Sequence, residues 1–130
     1  MAELVDIEVE LVALGVVRFP QAVVRVELDN NLLHELPTIQ IEQAPGGHDD
    51  GLRLSRPLVD FNVYAPTRSA AFSLAHEVHA WVTGELRGLG TSRLVIGRTG
   101  ALSLPAVRPY ENTSLRRVGA TYEIYCHPAT

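Results

Sequence analysis

The chain has 130 residues and a formal net charge of −4 at pH 7, with 46% apolar and 20% charged residues. This length fits one domain over residues 1–130, and the composition is typical of a globular protein rather than of a disordered chain. No apolar run approaches the roughly 18 residues that cross a bilayer, and the acidic N-terminus lacks the basic segment of a secretory signal. We therefore expect a single domain that is neither embedded in a membrane nor exported.

Cysteine content and charge exclude two further classes of protein. The single cysteine, Cys126, excludes an internal disulfide framework and a metal site built from several cysteines. All eleven basic residues are arginine, and fifteen acidic residues outnumber them. An acidic chain of this kind does not predict the broad basic surface with which proteins hold DNA through its phosphates.

A short helix is predicted near the N-terminus. Asp6 is a typical N-cap residue, and Gly15 is a typical helix end. The apolar residues between them share one stripe at helical spacing, namely Ile7, Leu11 and Leu14. The same segment also contains a strand-like alternation, which leaves a strand as the alternative.

Three segments alternate between apolar and polar residues and are predicted strands. Residues 23–28 place Arg25 and Glu27 opposite an apolar side, and residues 30–36 could then form a helical turn closed by a proline. Residues 38–43 and 58–65 alternate in the same way and predict a hairpin. The glycines and aspartates in between predict a long flexible connection.

The strongest pattern predicts a helix from Pro66 and Thr67 to about residue 86. Proline in the first turn and threonine as a cap fit its start, and the glycines at 84, 88 and 90 fit its end. Its apolar residues recur at three- and four-residue spacing, namely Ala71, Leu74, Ala75, Val78, Val82 and Leu86.

The last third of the chain predicts mostly strands. Residues 93–96 fit a short strand, residues 97–100 a turn, residues 103–109 a loop or edge strand, and residues 117–126 a final strand. The predicted fold is therefore α/β in content and α+β in arrangement. It has a mostly antiparallel sheet of four to five strands, one main helix packed on one face and a short N-terminal helix.

His76 and His79 are the first candidates for metal chemistry, because His76-Glu77-Val78-His79 nearly matches the helical zinc motif of metalloproteases. That motif needs histidines at i and i+4 so that both imidazoles reach one metal, whereas the spacing here is i and i+3. No further ligand cluster stands out. We interpret His76 as facing solvent and His79 as lying at the helix flank, and we expect neither a metal nor another cofactor. A small metal-dependent hydrolase is the less favoured alternative.

Other reactive constellations are equally weak. His48-Asp49-Asp50 lies between glycines, whereas catalytic carboxylates need fixed and partly desolvated surroundings. Cys126 and His127 are neighbours on a predicted strand, so their side chains face opposite ways. The chain lacks G-x-S-x-G and the glycine-rich phosphate motifs. The residues therefore indicate a protein that is not an enzyme.

The order of these segments resembles the tail-terminator, or tail-completion, proteins of bacteriophages with long non-contractile tails. The resemblance covers about residues 6–127 and consists of patterns of fold and spacing. It is carried by Arg18-Phe19-Pro20 before a Val-rich strand, residues 34–37 before Thr-Ile-Gln-Ile-Glu, the Gly46-Gly47 pair, residues 59–68 leading into residues 70–75, residues 104–110, and the final strand over 117–125.

The resemblance implies a structural virion protein at the head-tail junction of a phage, assembled in the host cytoplasm. Such a protein forms a homohexameric ring on the head-proximal end of the tail tube, stops tube polymerisation and offers the surface for head-tail joining. The implied partners are its own copies, the tail-tube protein and the head-tail connector or stopper protein. Double-stranded DNA would pass through the ring without specific binding, which an acidic chain permits. The alternative is another head-tail adaptor, such as a head-completion protein.

Seven polar residues are candidates for contacts with a neighbouring subunit or partner. Long loops on rigid scaffolds usually serve recognition, so we expect the 44–57 segment to reach a neighbour through arginine-carboxylate pairs. An arginine pair at the start of the last strand could contact phosphate or a partner's carboxylates. The candidates are His48, Asp49, Asp50, Arg53, Arg56, Arg116 and Arg117.

Overall fold

The computed structural model describes residues 5–51 and 53–129. Residues 1–4, on which part of the argument against a secretory signal rests, lie outside the described residues. The helices are α1 (Ile7–Arg18) and α2 (Arg68–Ala80), with a 3-10 turn at Leu32–His34 and a π-helical turn at Trp81–Glu85. The strands are β1 (Val23–Arg25), β2 (Thr38–Asp49), β3 (Ser55–Ala65), β4 (Leu94–Ala101), β5 (Ala106–Val107) and β6 (Arg116–Pro128). None of these helices has the length and apolar character that a bilayer crossing requires.

The strands form one mixed sheet in the order β1-β2-β3-β6-β4, and β5 also pairs with β6. Among the described strands only the β1–β2 pair is parallel, and the other pairs are antiparallel. The predicted α+β class with a mostly antiparallel sheet is confirmed. The described sheet has six strands because the two-residue β5, within the segment predicted as a loop or edge strand, joins the five strands that the sequence predicted.

Helix α1 begins as the sequence predicts but ends later. The Asp6 carboxylate accepts hydrogen bonds from the amides of residues 8 and 9 at 3.0 and 3.3 Å. The helix continues past Gly15 to Arg18, so the predicted stop at Gly15 is wrong. A Cβ at Gly15 would lie 3.1 Å from Cγ1 of Val24, so this glycine serves the close approach of the helix to β1.

Both helices pack on one face of the sheet and enclose the main core. Trp81 is 2% exposed and lies edge-on to Phe19 and Phe61, with ring centroids 5.4 and 6.3 Å apart. The predicted apolar stripe of the main helix is buried over its whole length. The strands contribute Val24, Ile39, Ile41, Val59, Phe61, Val63, Ala120, Tyr122 and Ile124 to this core.

The main helix has the predicted cap and a distorted last turn. Oγ1 of Thr67 accepts a hydrogen bond from the amide of Ala70 at 3.1 Å, whereas Pro66 precedes the helix. From Trp81 the helix widens into a π-helical turn, in which the Thr83 hydroxyl donates to a backbone carbonyl one turn earlier. Gly88 then ends the segment with a φ of 82°.

The predicted flexible connection after residue 43 is wrong. Strand β2 continues to Asp49 and stays paired with β3, with a register shift between Ala44 and His48. Gly46 and Gly47 have φ values of 103° and 93°, which suit a bulge, and a Cβ at Gly47 would meet a backbone oxygen at 2.7 Å. The glycines therefore shape a bulged hairpin instead of interrupting it.

Strand β2 has an exposed outer edge beyond its first residues. Strand β1 pairs only with residues 38–40 of β2, so within the described chain no strand covers the edge from residue 44 to Asp49. The amide of Gln43 is bonded to Glu8 of α1 at 2.7 Å. Pro45 follows on the same edge strand.

Two other strand predictions need correction. The strand expected over 23–28 stops at Arg25, whose side chain forms ion pairs with Asp29 and Glu35 in the following turn. The expected turn over 97–100 belongs to β4 and holds a register shift between Ile96 and Thr99. Thr99 is buried and donates to the Val82 carbonyl at 2.6 Å, which holds the bulge against the main helix.

Candidate interaction surface

The sheet face opposite the two helices is polar, and we name it the polar face. Cross-strand register brings side chains from β2, β3 and β6 together there, because alternate residues of each strand face the same side. A small second core of Leu32, Tyr64 and Leu115 covers one end of this face. The polar face comprises Gln40, Glu42, Asp60, Asn62, Arg117, Thr121 and Glu123.

Arg108 connects three residues of the polar face. Its guanidinium donates to Oδ1 of Asn62 and to Oγ1 of Thr121, each at 3.0 Å, and lies 3.3 Å from the Asp60 carboxylate. The Thr121 hydroxyl in turn donates to Asp60. The side chains of both Arg108 and Asp60 are 24% exposed. This network therefore ties β3, β6 and the segment after β5 into one rigid patch at the surface.

Gly119 makes room for the network. A Cβ at this position would lie 2.1 Å from Oδ1 of Asn62 and 2.9 Å from Cδ of Arg108. These distances are below any contact that real Cβ atoms make, so residue 119 must lack a side chain for Arg108 to cross β6. Glycine inside a strand often marks such a close approach.

Two donor atoms of the polar face have no hydrogen-bond partner within the described part of the chain. They are Nδ2 of Asn62 and Nε of Arg117, and both are buried. The Arg117 guanidinium lies over the Tyr64 ring, 5.9 Å from its centroid. Burial raises the pKa of Tyr64, so this phenol stays neutral, and its hydroxyl donates to Gln40 at 2.9 Å.

Arg53 and Arg56 form contacts within the chain itself. Nη1 of Arg56 lies 2.7 Å from the Glu123 carboxylate, in a pair whose side chains are 32% and 18% exposed. Nη2 of Arg53 donates to the Pro128 carbonyl at 2.9 Å. Both side chains therefore fasten the β2–β3 hairpin to β6, whereas the sequence suggested that they pair with a partner's acidic groups.

Three predicted candidates, His48, Asp49 and Asp50, lie around the tip of the same hairpin. His48 pairs with Arg56 across the hairpin, and Asp49 pairs with Ser55. The Asp50 carboxylate accepts hydrogen bonds from the amides of residues 53 and 54 at 2.9 and 3.1 Å, which fixes the turn. All three predicted residues are exposed, and their place at the tip leaves them as candidates for a partner contact.

Arg116 and Arg117 lie at the other end of the sheet. Arg116 pairs with Ala65 at one end of β3, whereas Ser55 at the other end pairs with Cys126. Ten strand residues separate these ends by roughly 30 Å. The Arg116 guanidinium donates to the carbonyls of residues 113 and 115 at 2.9 and 3.1 Å. The structure thus places the seven candidates in two groups, with the Arg108 network between them.

Neither a protein-family model nor a curated protein sequence matches this chain.

The histidine pair of the main helix lies apart from the polar face. His76 is exposed beside the Phe72 ring, and Nδ1 of His79 lies 2.7 Å from the hydroxyl of Tyr122 in the core. Burial raises the pKa of Tyr122 to about 12, so the phenol keeps its proton at neutral pH. No group of three His, Cys, Asp or Glu residues that could hold a metal occurs within the described residues.

Cys126 is a buried core residue. It is 3% exposed, and burial raises the pKa of its thiol, while its Sγ lies 3.4 Å from Oγ of Ser55. The neighbouring His127 faces the other side of β6, as strand alternation predicts.

Sequence reasoning missed the centre of the polar face. The network joins Asp60 and Asn62 of β3 to Arg108 and Thr121, which lie more than 45 residues farther along the chain, and nothing local predicts these contacts. One signal was present, because an isolated glycine, Gly119, stands between the apolar residues Val118 and Ala120 of the predicted last strand. An isolated glycine in a strand pattern indicates a close approach of other atoms, and here those atoms belong to Asn62 and Arg108. The missed residues are Asp60, Asn62, Arg108 and Thr121.

Proposed function

We propose that the protein is a tail terminator of a long-tailed, non-contractile phage. In this proposal it assembles as a homohexameric ring on the head-proximal end of the tail tube, stops tube polymerisation and carries the surface for head-tail joining. Its place is the virion, after assembly in the host cytoplasm. The observation that carries the proposal is the polar face, the side of the sheet opposite α1 and α2, whose charged groups hold one another in fixed positions.

A fixed surface of this kind suits a structural interface. Arg108, Asp60 and Thr121 are bonded to each other before any partner arrives, so a partner meets side chains that have already lost their rotamer freedom. Binding to preorganised groups costs less conformational entropy than binding to mobile ones. Such a face can therefore make many weak contacts with a tube or connector subunit and still hold it firmly.

The charge pattern of the same face suits a ring through which DNA passes. Arg108 stands beside Asp60, and Arg56 stands beside Glu123, so positive and negative groups alternate over the face. Alternating charges give register and specificity towards a complementary protein surface. They do not create the continuous basic field that would hold phosphates, and the net charge of the chain is −4.

Deletion of the gene from its phage tests the proposal. Electron micrographs of lysates should then show overlong tail tubes that are not attached to filled heads, and the intact gene supplied from a plasmid should restore plaques. Tails of normal length that merely fail to join heads would contradict tail termination and favour another head-tail adaptor. Normal virions without the gene product would contradict any role in tail assembly.

A charge-reversal variant tests whether the proposed function needs the polar face more than the rest of the surface. Glu42 lies on the polar face in register with Asp60, whereas the exposed Glu27 follows β1 outside it. We expect Glu42→Arg to fold normally and to reduce plasmid rescue of the deletion phage by at least tenfold. The matched variant Glu27→Arg should rescue like the wild type. Equal rescue by both variants would remove the polar face from the proposed function.

A further inference from the structure

Two buried donor atoms of the polar face, Nδ2 of Asn62 and Nε of Arg117, have no acceptor within the described part of the chain. We name them the donor pair. Asn62 is 0% exposed, and Arg117 is half-buried. Buried donors are almost always satisfied in folded proteins, and a donor left without an acceptor costs free energy. The donor pair therefore indicates a place where the protein binds a group that carries an acceptor atom.

The orientation of the Asn62 amide is fixed by Arg108. A guanidinium can only donate, so the amide atom that lies 3.0 Å from Nη1 of Arg108 must be the carbonyl oxygen. Nδ2 is then the other atom, because turning the amide over would place two donors against each other. The donor without an acceptor is thus a consequence of the Arg108 network.

The acceptors nearest in the sheet already have donors. Oε1 of Gln40, which pairs with Asn62 across β2 and β3, accepts from the Tyr64 hydroxyl at 2.9 Å. The Asp60 carboxylate lies 3.3 Å from the Arg108 guanidinium. Because burial raises the pKa of Tyr64, its phenol stays neutral and offers no negative charge to a neighbouring cation. The described part of the chain therefore does not itself supply the acceptor that the donor pair needs.

The register of the sheet places the two donors near each other. Asn62 lies opposite Gly119, and Arg117 lies two residues before Gly119 on the same side of β6. Side chains at such diagonal positions start about 7 to 8 Å apart, which is within reach of a long side chain. Since a hydrogen bond spans about 3 Å, the oxygens of one carboxylate can accept from both donors.

Arg117 also carries a charge that no acidic side chain balances. Within the described residues, no ion pair includes its guanidinium. The guanidinium lies over the ring of Tyr64, which belongs to the small second core. In partly apolar surroundings an ionic hydrogen bond is stronger than in water, so an anion gains more here than at an exposed arginine. A water molecule would satisfy the two donors but would leave this charge unbalanced.

The surrounding charges favour a carboxylate over a phosphate. Glu42, Asp60 and Glu123 lie on the same face as Arg117. The phosphates of a nucleic acid are closely spaced, so a phosphate seated on Arg117 would bring others against these acids. A phosphate monoester carries a charge of about −1.5 to −2, which exceeds that of one cation. A single carboxylate matches one guanidinium both in charge and in planar, two-point geometry.

We infer that the donor pair is a binding site for one carboxylate group, which accepts hydrogen bonds from Nδ2 of Asn62 and from the Arg117 guanidinium. The carboxylate belongs to a small organic acid or to an acidic side chain of another polypeptide. Arg116 has no part in this site, because its guanidinium donates to the backbone carbonyls of residues 113 and 115. The inference goes beyond the proposed function and does not depend on it.

Titration with sodium acetate tests the site. Near pH 7 and at constant ionic strength, acetate replaces chloride while nuclear magnetic resonance follows the side-chain N–H signals of Asn62 and Arg117. Both signals should shift together and saturate with one dissociation constant, on the order of 10 mM for a single carboxylate. The Nε–H signal of Arg18, which is paired with Glu85, is the internal reference and should not move. The absence of any response, or an equal response to chloride, would overturn the inference and leave the donors to an ordered water.

Two substitutions connect the response to the donor pair. Asn62→Asp keeps the oxygen that Arg108 binds and replaces the Nδ2 donor with a carboxylate oxygen, so the chain then supplies its own acceptor for Arg117. Arg117→Gln removes the charge and serves if Asn62→Asp does not fold, as judged by circular dichroism. Each variant should bind acetate at least tenfold more weakly than the wild type. Arg116→Gln is the matched control and should bind like the wild type. Wild-type affinity in Arg117→Gln would overturn the inference, and so would an equal loss in Arg116→Gln.

Further ligands distinguish the source of the carboxylate. Succinate represents small organic acids, and a peptide of about ten residues that alternates glutamate with glycine represents an acidic polypeptide. At equal carboxylate concentration, tighter binding of succinate assigns the site to a small acid, and tighter binding of the peptide assigns it to a polypeptide. Either result supports a carboxylate site. If inorganic phosphate or a short DNA duplex displaces acetate at a lower concentration than both, the site takes phosphate and the inference is wrong.

Discussion

The two faces of the sheet are held together by different forces. On the helix-covered face, Phe61 and Trp81 lie in an apolar core that excludes water. On the polar face, Asp60, Arg108 and Glu123 are fixed by ion pairs and hydrogen bonds that remain partly in contact with solvent. Apolar burial stabilises a fold by several kcal/mol per large side chain, whereas partly exposed polar contacts contribute about 1 kcal/mol or less. The helix-covered face therefore supplies most of the stability, whereas the contacts of the polar face hold its side chains in defined positions.

The largest expected effect tests the helix-covered face. Leu74 lies on the buried side of the main helix and is 6% exposed, and Leu74→Ala should lower the free energy of unfolding by about 2 to 5 kcal/mol, because it leaves a cavity in the core. Urea denaturation measures the change. The matched substitution Leu104→Ala, at a residue that is 70% exposed, should change the same quantity by less than about 0.5 kcal/mol. Similar losses in both variants would show that the burial contrast is wrong.

A glycine substitution probes the tightest point of the polar face. Gly119→Ala should cost about 1 to 3 kcal/mol, because the new Cβ would displace Arg108 and Asn62 from their contacts. Gly84→Ala is the control, since Gly84 lies in the helical turn after α2 with nothing within 4 Å of an added Cβ, and it should stabilise the protein by about 0.5 to 1 kcal/mol. A Gly119→Ala protein as stable as the wild type would mean that the network can shift without loss.

Unfolding at alkaline pH tests the burial of Tyr122 on the helix-covered face. The pKa of Tyr122 rises from 10.0 to about 12 in the folded protein, because burial disfavours the phenolate. Between pH 10 and about pH 12 the unfolded chain loses this proton while the folded protein keeps it, so stability falls as the pH rises. The loss should reach about 2 kcal/mol near pH 12. Urea midpoints across this range should fall less steeply for Tyr122→Phe, and an equal slope in both proteins would contradict the assignment to Tyr122.

The smallest expected effect concerns an ion pair of the polar face. A double-mutant cycle on Arg56 and Glu123 should give a coupling energy of about 0.5 to 1 kcal/mol that weakens in high salt, since the pair is close but partly solvated. The comparison pair is Arg18 and Glu85, which is 3.2 Å apart with side chains 38% and 58% exposed, and its coupling should be smaller. A coupling above about 2 kcal/mol for the Arg56–Glu123 pair would mean that the polar face stabilises the fold as much per contact as the apolar core of the helix-covered face.

Local signals made the helices predictable, because they act within one turn of chain. Asp6 and Thr67 cap helices as expected, and the apolar stripe of the main helix is buried along its length. Glycine was ambiguous, since the same residue can end a helix, form a bulge or admit a neighbouring side chain. Gly15 and Gly46 were therefore misinterpreted, because the atoms that decide their roles come from other strands.

The candidate surface was predicted less well than the fold. The sequence singled out Arg53 and Arg56 for contacts with a partner, whereas in the structure they contact residues of β6, which lie about seventy residues farther along the chain. Contacts between residues so far apart in the chain produce no periodic pattern in the local sequence. Arg108 was missed for the same reason, because its three contacts depend on the register between β3 and β6.

The exposed edge of β2 has a consequence for how crowded copies of the protein behave. Pro45 has no amide proton to offer another strand, and the left-handed backbone at Gly46 and Gly47 breaks the regular spacing of the neighbouring groups. An uninterrupted edge would be a template for sheet-to-sheet growth and for fibrils. Because this edge is interrupted, copies that meet at high concentration cannot pair continuously along β2 through backbone hydrogen bonds. Contacts on that side therefore depend on side chains and remain reversible.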